Sequence, residues 1–308
     1  MRRPLAALAL ARGTVDRSGV RRSDAEWLTA AWARDDTRVL VIDDGRTLVR
    51  FGDEGAGLVF LAPAQAPDGE RHLLGVDGDG HVYFSVTAPL PPAPAAGPKD
   101  GRIEPAGLRR AGALLDDRDA GLLTHAVALA NWHRTHTHCP RCGSLTDPVM
   151  GGHSRICRTD GSEHFPRTDP AVIMLVTDPD ERALLARNRA WPPGRVSLLA
   201  GFVEPGESAE RAVAREVAEE TGITVGDVAY LGSQPWPMPQ SLMLGFRAAA
   251  PGGQPIRVDE EEISEARWFS RDELRAGLAT AEVLMPPPVS IAHRIIESWY
   301  GEDLPGSW

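Results

Sequence analysis

GFVEPGESAERAVAREVAEETGI, residues 201–223, is the stretch that decides how this chain is read. Ser208 is placed to cap a helix and Gly222 to end it, which predicts about three and a half turns between them. At 100° per residue, Ala209, Val213 and Val217 fall on one stripe. Glu220 lies inside that stripe, Glu216 at its border and Glu219 one step further round, with Arg215 next to Glu219 at i,i+4. Like charges at helical spacing cost roughly a few tenths of a kcal/mol, and a solvated face would interleave signs far from the apolar stripe. Carboxylates crowded beside a buried face are costly unless paired or bound to a cation. Hard oxygen ligands of this kind suit Mg²⁺ or Mn²⁺.

The whole chain has 308 residues, 42% hydrophobic and 25% charged, with a formal net charge of −10. That length allows two or three domains with a sizeable core. An acidic chain is a poor default for nonspecific grip on a polyanion, so phosphate chemistry here is expected to borrow positive charge from a metal. No apolar run reaches 18 residues, and no membrane span is expected. The opening MRRPLAALALARG resembles only a weak leader peptide. The three cysteines cluster at 139–157, which excludes a disulfide framework and reads as a metal site in a reducing compartment. A cytoplasmic location is expected.

Residues 38–86 carry short β-branched and aromatic runs (RVLVI, RTLVRF, GLVFL, HLLGV, HVYFSV) separated by DDG and DGDG turns, a pattern of antiparallel hairpins. The proline-rich 88–101 reads as a connector, and 119–136 as a helix. AVIMLVT near Pro170 is a buried-strand run, and ALLAR and VSLLAGF precede the glutamate helix. VAYLGS, SLMLGFRAAA, ARWFS and a last helix around VSIAHRIIESWY follow it. Strands outnumber helices without regular alternation, so the class is α+β.

The stretch 201–223 matches Gly-x5-Glu-x7-Arg-Glu-U-x-Glu-Glu-x-Gly-U, with U bulky and apolar. At average residue usage, its seven fixed positions coincide by chance about once in 10⁸ windows. It resembles the Nudix box of the Nudix hydrolases. The resemblance implies an α/β/α sandwich with a mixed sheet that hydrolyses nucleoside diphosphates linked to another group. It implies Glu216, Glu219, Glu220 and the carbonyl of Ala200 as Mg²⁺ or Mn²⁺ ligands, with Arg215 and Glu207 orienting the carboxylates.

SQPWPMPQS, residues 233–241, resembles the SQPWPFPxS signature of the NADH pyrophosphatase subfamily, with Met238 in place of Phe. That resemblance implies cleavage of NAD(H) to NMN(H) and AMP and removal of NAD caps from RNA 5′ ends. It implies substrate contacts from Gln234, Pro235, Trp236, Pro237, Met238, Pro239, Gln240 and Ser241. It also implies Phe202 stacked on the nicotinamide, Phe165 lining the pocket, Ala292 and Arg109 at the substrate, and Glu262 of VDEEEISEARWF as a further metal ligand, with Glu261 its near rival. ADP-ribose or another nucleoside diphosphate derivative is the alternative substrate, since Met238 stacks more weakly than Phe.

Cys139-Pro-Arg-Cys142-Gly is a ribbon-like knuckle, and Cys157 follows after fourteen residues. The subfamily's fourth cysteine would stand at 160, where this chain has Asp160, an oxygen ligand that zinc accepts. His138, His153 and His164 are nearby substitutes. The expected organisation is a β-rich domain over 1–130, a structural zinc ribbon over 131–167 and a Nudix domain over 168–308. The resemblance further implies a homodimer.

Overall fold

The computed structural model describes residues 5, 8–53, 55–93 and 101–305. The chain divides into two compact units. One holds Arg12–Thr168 together with Trp236–Gln240, and the other holds Met1–Ala11, Asp169–Pro235 and Ser241–Trp308. Residues 94–100 of the proline-rich connector lie outside the described residues, as do most of residues 1–7.

In the Arg12–Thr168 unit, α1 (Ala25–Trp32) precedes β1 (Arg38–Ile42), β2 (Arg46–Gly52), β3 (Gly55–Leu58), β4 (Glu70–Val76), β5 (Val82–Thr87) and β6 (Arg102–Gly107). Then come α2 (Leu108–Ala111), α3 (Asp117–Thr135), β7 (Thr146–Val149), β8 (Ser154–Cys157) and β9 (Glu163–His164). The sheets run β1-β5-β4, β3-β2-β6 and β7-β8-β9.

One expected hairpin is corrected. The DDG turn closes with Asp43 and Arg46 exchanging two backbone bonds of 2.9 Å, but β1 and β2 then part into different sheets. β1 instead pairs in parallel with β5, Val39 opposite Phe84. The reason is burial. RVLVI is apolar without alternation and buried from Val39 to Ile42, which suits a strand covered on both faces rather than half of a surface hairpin. The DGDG turn does join the antiparallel pair β4 and β5.

In the other unit, the strands are β10 (Asp169–Thr177), β11 (Ala183–Asn188), β12 (Leu199–Phe202), β13 (Gly226–Trp236), β14 (Ser241–Ala249) and β15 (Ile263–Phe269). The helices are α4 (Ala209–Thr221), α5 (Arg271–Ala279) and α6 (Ile291–Tyr300). The sheet runs β13-β14-β10-β11-β15, with β12 also paired to β10. It is mixed, because β10 and β14 are parallel while β11 and β12 run antiparallel to β10. Side chains alternate across β10. Val172, Met174 and Val176 pack with Ala212, Val213 and Val217 of α4. Ile173 and Leu175 pack with Leu274 of α5 and Ile291, Ile295 and Trp299 of α6. Both faces of AVIMLVT are therefore covered, and the sandwich is α/β/α as expected.

Candidate active site

Helix α4 begins where expected. The Ser208 side chain accepts from the Arg211 amide, and Gly222 closes the helix at φ 70°, its amide donating to Ala218 O. The stripe packed on β10 buries Val213, Val217 and Glu220 together. Glu220 is 6% exposed, and its Oε2 is buried without a hydrogen-bond partner. Burial, then the charges of Glu216, Glu262, Glu219 and Asp259, push its carboxyl up to about 8. Glu216 is raised by burial and by Glu219 and Glu262, against the pull of Arg215. An oxygen in that position lacks a positive partner, and a divalent cation is the partner the donor set fits.

Arg215 spends all five N–H donors within this neighbourhood. Nε and Nη2 grip the two Glu207 oxygens at 2.9 and 2.8 Å. Nη1 donates to Glu216 Oε1 at 2.8 Å and Glu219 Oε2 at 3.0 Å, and Nη2 also reaches Phe202 O at 2.9 Å. Glu207 in turn accepts from the Glu204 amide at 3.1 Å, and Arg215 holds its carboxyl below the usual range. Glu207 and Arg215 thus fix two carboxylates and the end of β12 as one assembly. Among the described residues, no three of these carboxylates bring an oxygen each within 4.8 Å of one another.

Strand β12 places Ala200 opposite Ile173 and Gly201 opposite Val172. A Cβ on Gly201 would lie 1.9 Å from Glu216 Cδ, so only glycine leaves room for that carboxylate. The segment before β15 is tied to the end of α4, with Arg257 N donating to Thr221 O at 2.8 Å and Asp259 N to Glu220 O at 3.1 Å. Glu262 rather than Glu261 is the residue whose charge acts on both Glu216 and Glu220. Asp259, which the sequence reading passed over, acts on Glu220 as well. Its signal was the acidic run VDEEE itself.

The SQPWPMPQS stretch has two fates. Gln234 is fully buried, its Oε1 accepting from Leu10 N at 3.3 Å and its Nε2 donating to Val289 O at 3.0 Å. Trp236–Gln240 belongs with the Arg12–Thr168 unit, where Asn131 Nδ2 donates to Pro237 O at 2.8 Å and Pro239 O at 3.2 Å. The Arg109 guanidinium lies 5.2 Å from the Trp236 ring centroid. Pro235, Met238 and Ser241 are partly buried. Phe202 and Phe165 are 59% and 65% exposed, unusual for Phe and suited to stacking. Ala292 is buried in the apolar cluster around Ile173 and Ile295.

In the ribbon, Cys139, Cys142, Cys157 and Asp160 each bring a donor atom within 4.8 Å of the others. Two similar knuckles do this. Gly143 N donates to Cys139 O, and Gly161 N to Cys157 O, so Asp160 holds in the second knuckle the place of Cys142 in the first. Arg141 N and Thr159 N each point at a sulfur at 3.4 Å. Asp160 Oδ1 is held by Ser162 N and Oγ at 2.9 and 2.6 Å, which leaves Oδ2 towards Cys139 Sγ at 3.9 Å. Three sulfurs and one oriented carboxylate fit zinc. Of the nearby imidazoles, His153 is committed to Leu73 O at 2.8 Å, and His164 Nε2 lies 3.1 Å from Ser162 Oγ.

Comparison with known proteins agrees with this geometry. Residues 167–286 match the NUDIX domain, residues 36–132 the NADH pyrophosphatase-like rudimentary NUDIX domain and residues 134–165 the NADH pyrophosphatase zinc ribbon domain. The chain is 45% identical over 305 residues to the NAD-capped RNA hydrolase NudC of Mycobacterium bovis, covering 94% of each chain. It is 44% identical to the Mycobacterium tuberculosis protein of that name, again over 94% of each. It is 42% identical over 197 residues to the NAD-capped RNA hydrolase NUDT12 of Homo sapiens, covering 60% of this chain and 42% of that one. The chain belongs to the Nudix hydrolases. Within them it falls in the NADH pyrophosphatase group, which joins a rudimentary Nudix domain, a zinc ribbon and a Nudix domain.

Proposed function

We propose that this protein hydrolyses the diphosphate bond of NAD(H) to NMN(H) and AMP, and that it hydrolyses the same bond in NAD-capped RNA, releasing NMN and leaving a 5′-monophosphate on the RNA. The observation that carries the hydrolytic part is the buried, unpartnered Glu220 oxygen within the charge field of Glu216 and Glu262. The names of the full-length relatives carry the substrate.

Ala200 O, Glu216, Glu219, Glu220 and Glu262 would hold Mg²⁺ or Mn²⁺. When bound, these ions supply Lewis acidity and a more acidic water. Arg215 keeps Glu216 and Glu219 pointing along one side of α4, and Glu207 keeps Arg215 there. One carboxylate of the set accepts the proton of the attacking water. Phe202 offers a flat apolar face to the nicotinamide, Phe165 lines the pocket, and the Trp236–Gln240 loop, with Arg109 at its Trp, contacts the substrate. Cys139, Cys142, Cys157 and Asp160 would hold a structural zinc. The working form is a homodimer, which light scattering on the purified protein tests. No helix among the described residues is long and apolar enough to cross a membrane.

Incubating the purified protein with Mn²⁺ and equal concentrations of NADH, NAD and ADP-ribose tests the reading. AMP and NMNH from NADH are expected. A strong preference for ADP-ribose would transfer the assignment to that substrate, a reading that Met238 in the place of Phe leaves open.

A further inference from the structure

The carboxylates of the proposed metal set come from two places. Glu216, Glu219 and Glu220 ride on α4, whose period sets their spacing, whereas Glu262 comes from the loop between β14 and β15. Glu262 is exposed, as are Asp259, Glu260 and Glu261 before it, so burial does not hold this stretch in place. Backbone hydrogen bonds do. The Glu262 amide donates to Asp259 O at 3.2 Å, and the Glu262 carbonyl accepts from the Arg189 amide at 2.8 Å, just past the end of β11.

Asp259 makes most of the turn. Its carbonyl also accepts from Ile263 N at 2.8 Å, and its Oδ1 accepts from Glu261 N at 3.0 Å. One residue thus takes the amides of 261, 262 and 263. Its own amide donates at 3.1 Å to Glu220 O, one of the carbonyls that the last turn of a helix leaves without an internal partner. Asp259 therefore joins the main chain of Glu220 to the main chain around Glu262. The two segments run so close that a Cβ on Gly222 would meet Arg257 Cβ at 3.3 Å. From the β11 side, Arg189 Nη1 donates to Glu260 O at 2.9 Å.

An acidic loop repels itself, and without braces its backbone would sample many placements. Metal affinity depends on the bonds that orient the ligands. We infer, resting on the proposed function for the part Glu262 plays, that Asp259 and Arg189 are positioning residues that brace Glu262 against α4. Asp259 acts through the acceptor geometry of its Oδ1 and not through its charge. Asn carries an acceptor at the same atom and favours the same local turn, whereas Ala carries none.

The test uses the full-length protein with Asp259→Ala, Asp259→Asn, Arg189→Ala and Glu262→Gln variants. Isothermal titration should show Mn²⁺ affinity about tenfold weaker in Asp259→Ala and a few-fold weaker, roughly, in Arg189→Ala. Asp259→Asn should recover to within about twofold of wild type. At subsaturating Mn²⁺, kcat for NADH should fall in Asp259→Ala while KM moves by less than about twofold. Adding Asp259→Ala to Glu262→Gln should cost no further Mn²⁺ affinity, because one acts through the other. Wild-type affinity in Asp259→Ala, equal losses in Asp259→Asn and Asp259→Ala, or additive losses in the double variant would each overturn the inference. If wild type binds no Mn²⁺, or Glu262→Gln binds it unchanged, the metal-site reading falls instead. Amide hydrogen exchange over residues 259–263 then decides the brace: faster exchange in Asp259→Ala than in wild type and Asp259→Asn supports it, and equal exchange overturns it.

Discussion

Gly201 and Glu216 are built for each other: the carboxylate of one occupies the space where a side chain on the other would begin, 1.9 Å from Cδ. The backbone of Gly201 sits within β12, paired with Val172, so the glycine serves close approach rather than an unusual dihedral. Replacing it with Ala should therefore leave the strand in place and displace the carboxylate. Mn²⁺ affinity and kcat/KM for NADH should fall about ten- to a hundredfold. Isothermal titration with Mn²⁺ checks this, and unchanged affinity would show that Glu216 is not a ligand.

Glu219→Gln and Glu220→Gln remove charge with little change of shape. Each should lower kcat by at least about a hundredfold. The circular dichroism spectrum should not change. A wild-type rate in either variant would remove that residue from the catalytic set.

Arg215→Lys keeps the charge but offers three donors from a point in place of five in a plane. It cannot hold Glu207, Glu216, Glu219 and Phe202 O together. A loss of about ten- to a hundredfold in kcat is expected, with a smaller change in KM. A change in KM alone would mean that Arg215 serves substrate binding instead.

The Glu220 carboxyl titrates near 8 in the folded protein against an ordinary value of 4.5, because burial and neighbouring carboxylates oppose its charge. The folded state then holds a proton that the unfolded chain releases first. Its stabilising contribution is complete below about 4.5 and is lost as pH rises towards about 8. Without metal, the melting temperature of wild type should decline across that window more steeply than that of Glu220→Gln. Added Mn²⁺ should stabilise wild type more at the alkaline end. Parallel curves for the two proteins would contradict the burial argument.

Asp160→Ala should weaken zinc retention by about a hundredfold or more and lower the melting temperature, whereas Asp160→Cys should retain the metal. Competition with a metallochromic chelator measures both. Equal retention in wild type and Asp160→Ala would pass the fourth position to another ligand, with His164 the nearest candidate to examine.

Much of the site was legible because it is local. Ser208, the 3.6-residue period and Gly222 define α4 without reference to the rest of the chain, and the same period places Glu220 on the buried stripe. The two zinc knuckles are likewise short turns set by residues two to four apart. The misread hairpin shows the boundary. RVLVI and RTLVRF carry the right turn between them, yet which strand each pairs with depends on apolar faces far away in sequence, and β1 found β5.

From the sequence alone came the helix, its caps, its three carboxylates and the order of ribbon, box and proline loop, since neighbouring residues dictate each of these. Folding in three dimensions decided the rest. It left one Glu220 oxygen without a partner, pressed Glu216 against Gly201, committed Gln234 to backbone partners and drew Arg46, Arg109, Arg110 and Arg134 around one cavity. Contacts between distant segments depend on how whole surfaces pack, and no short-range pattern of residues encodes them.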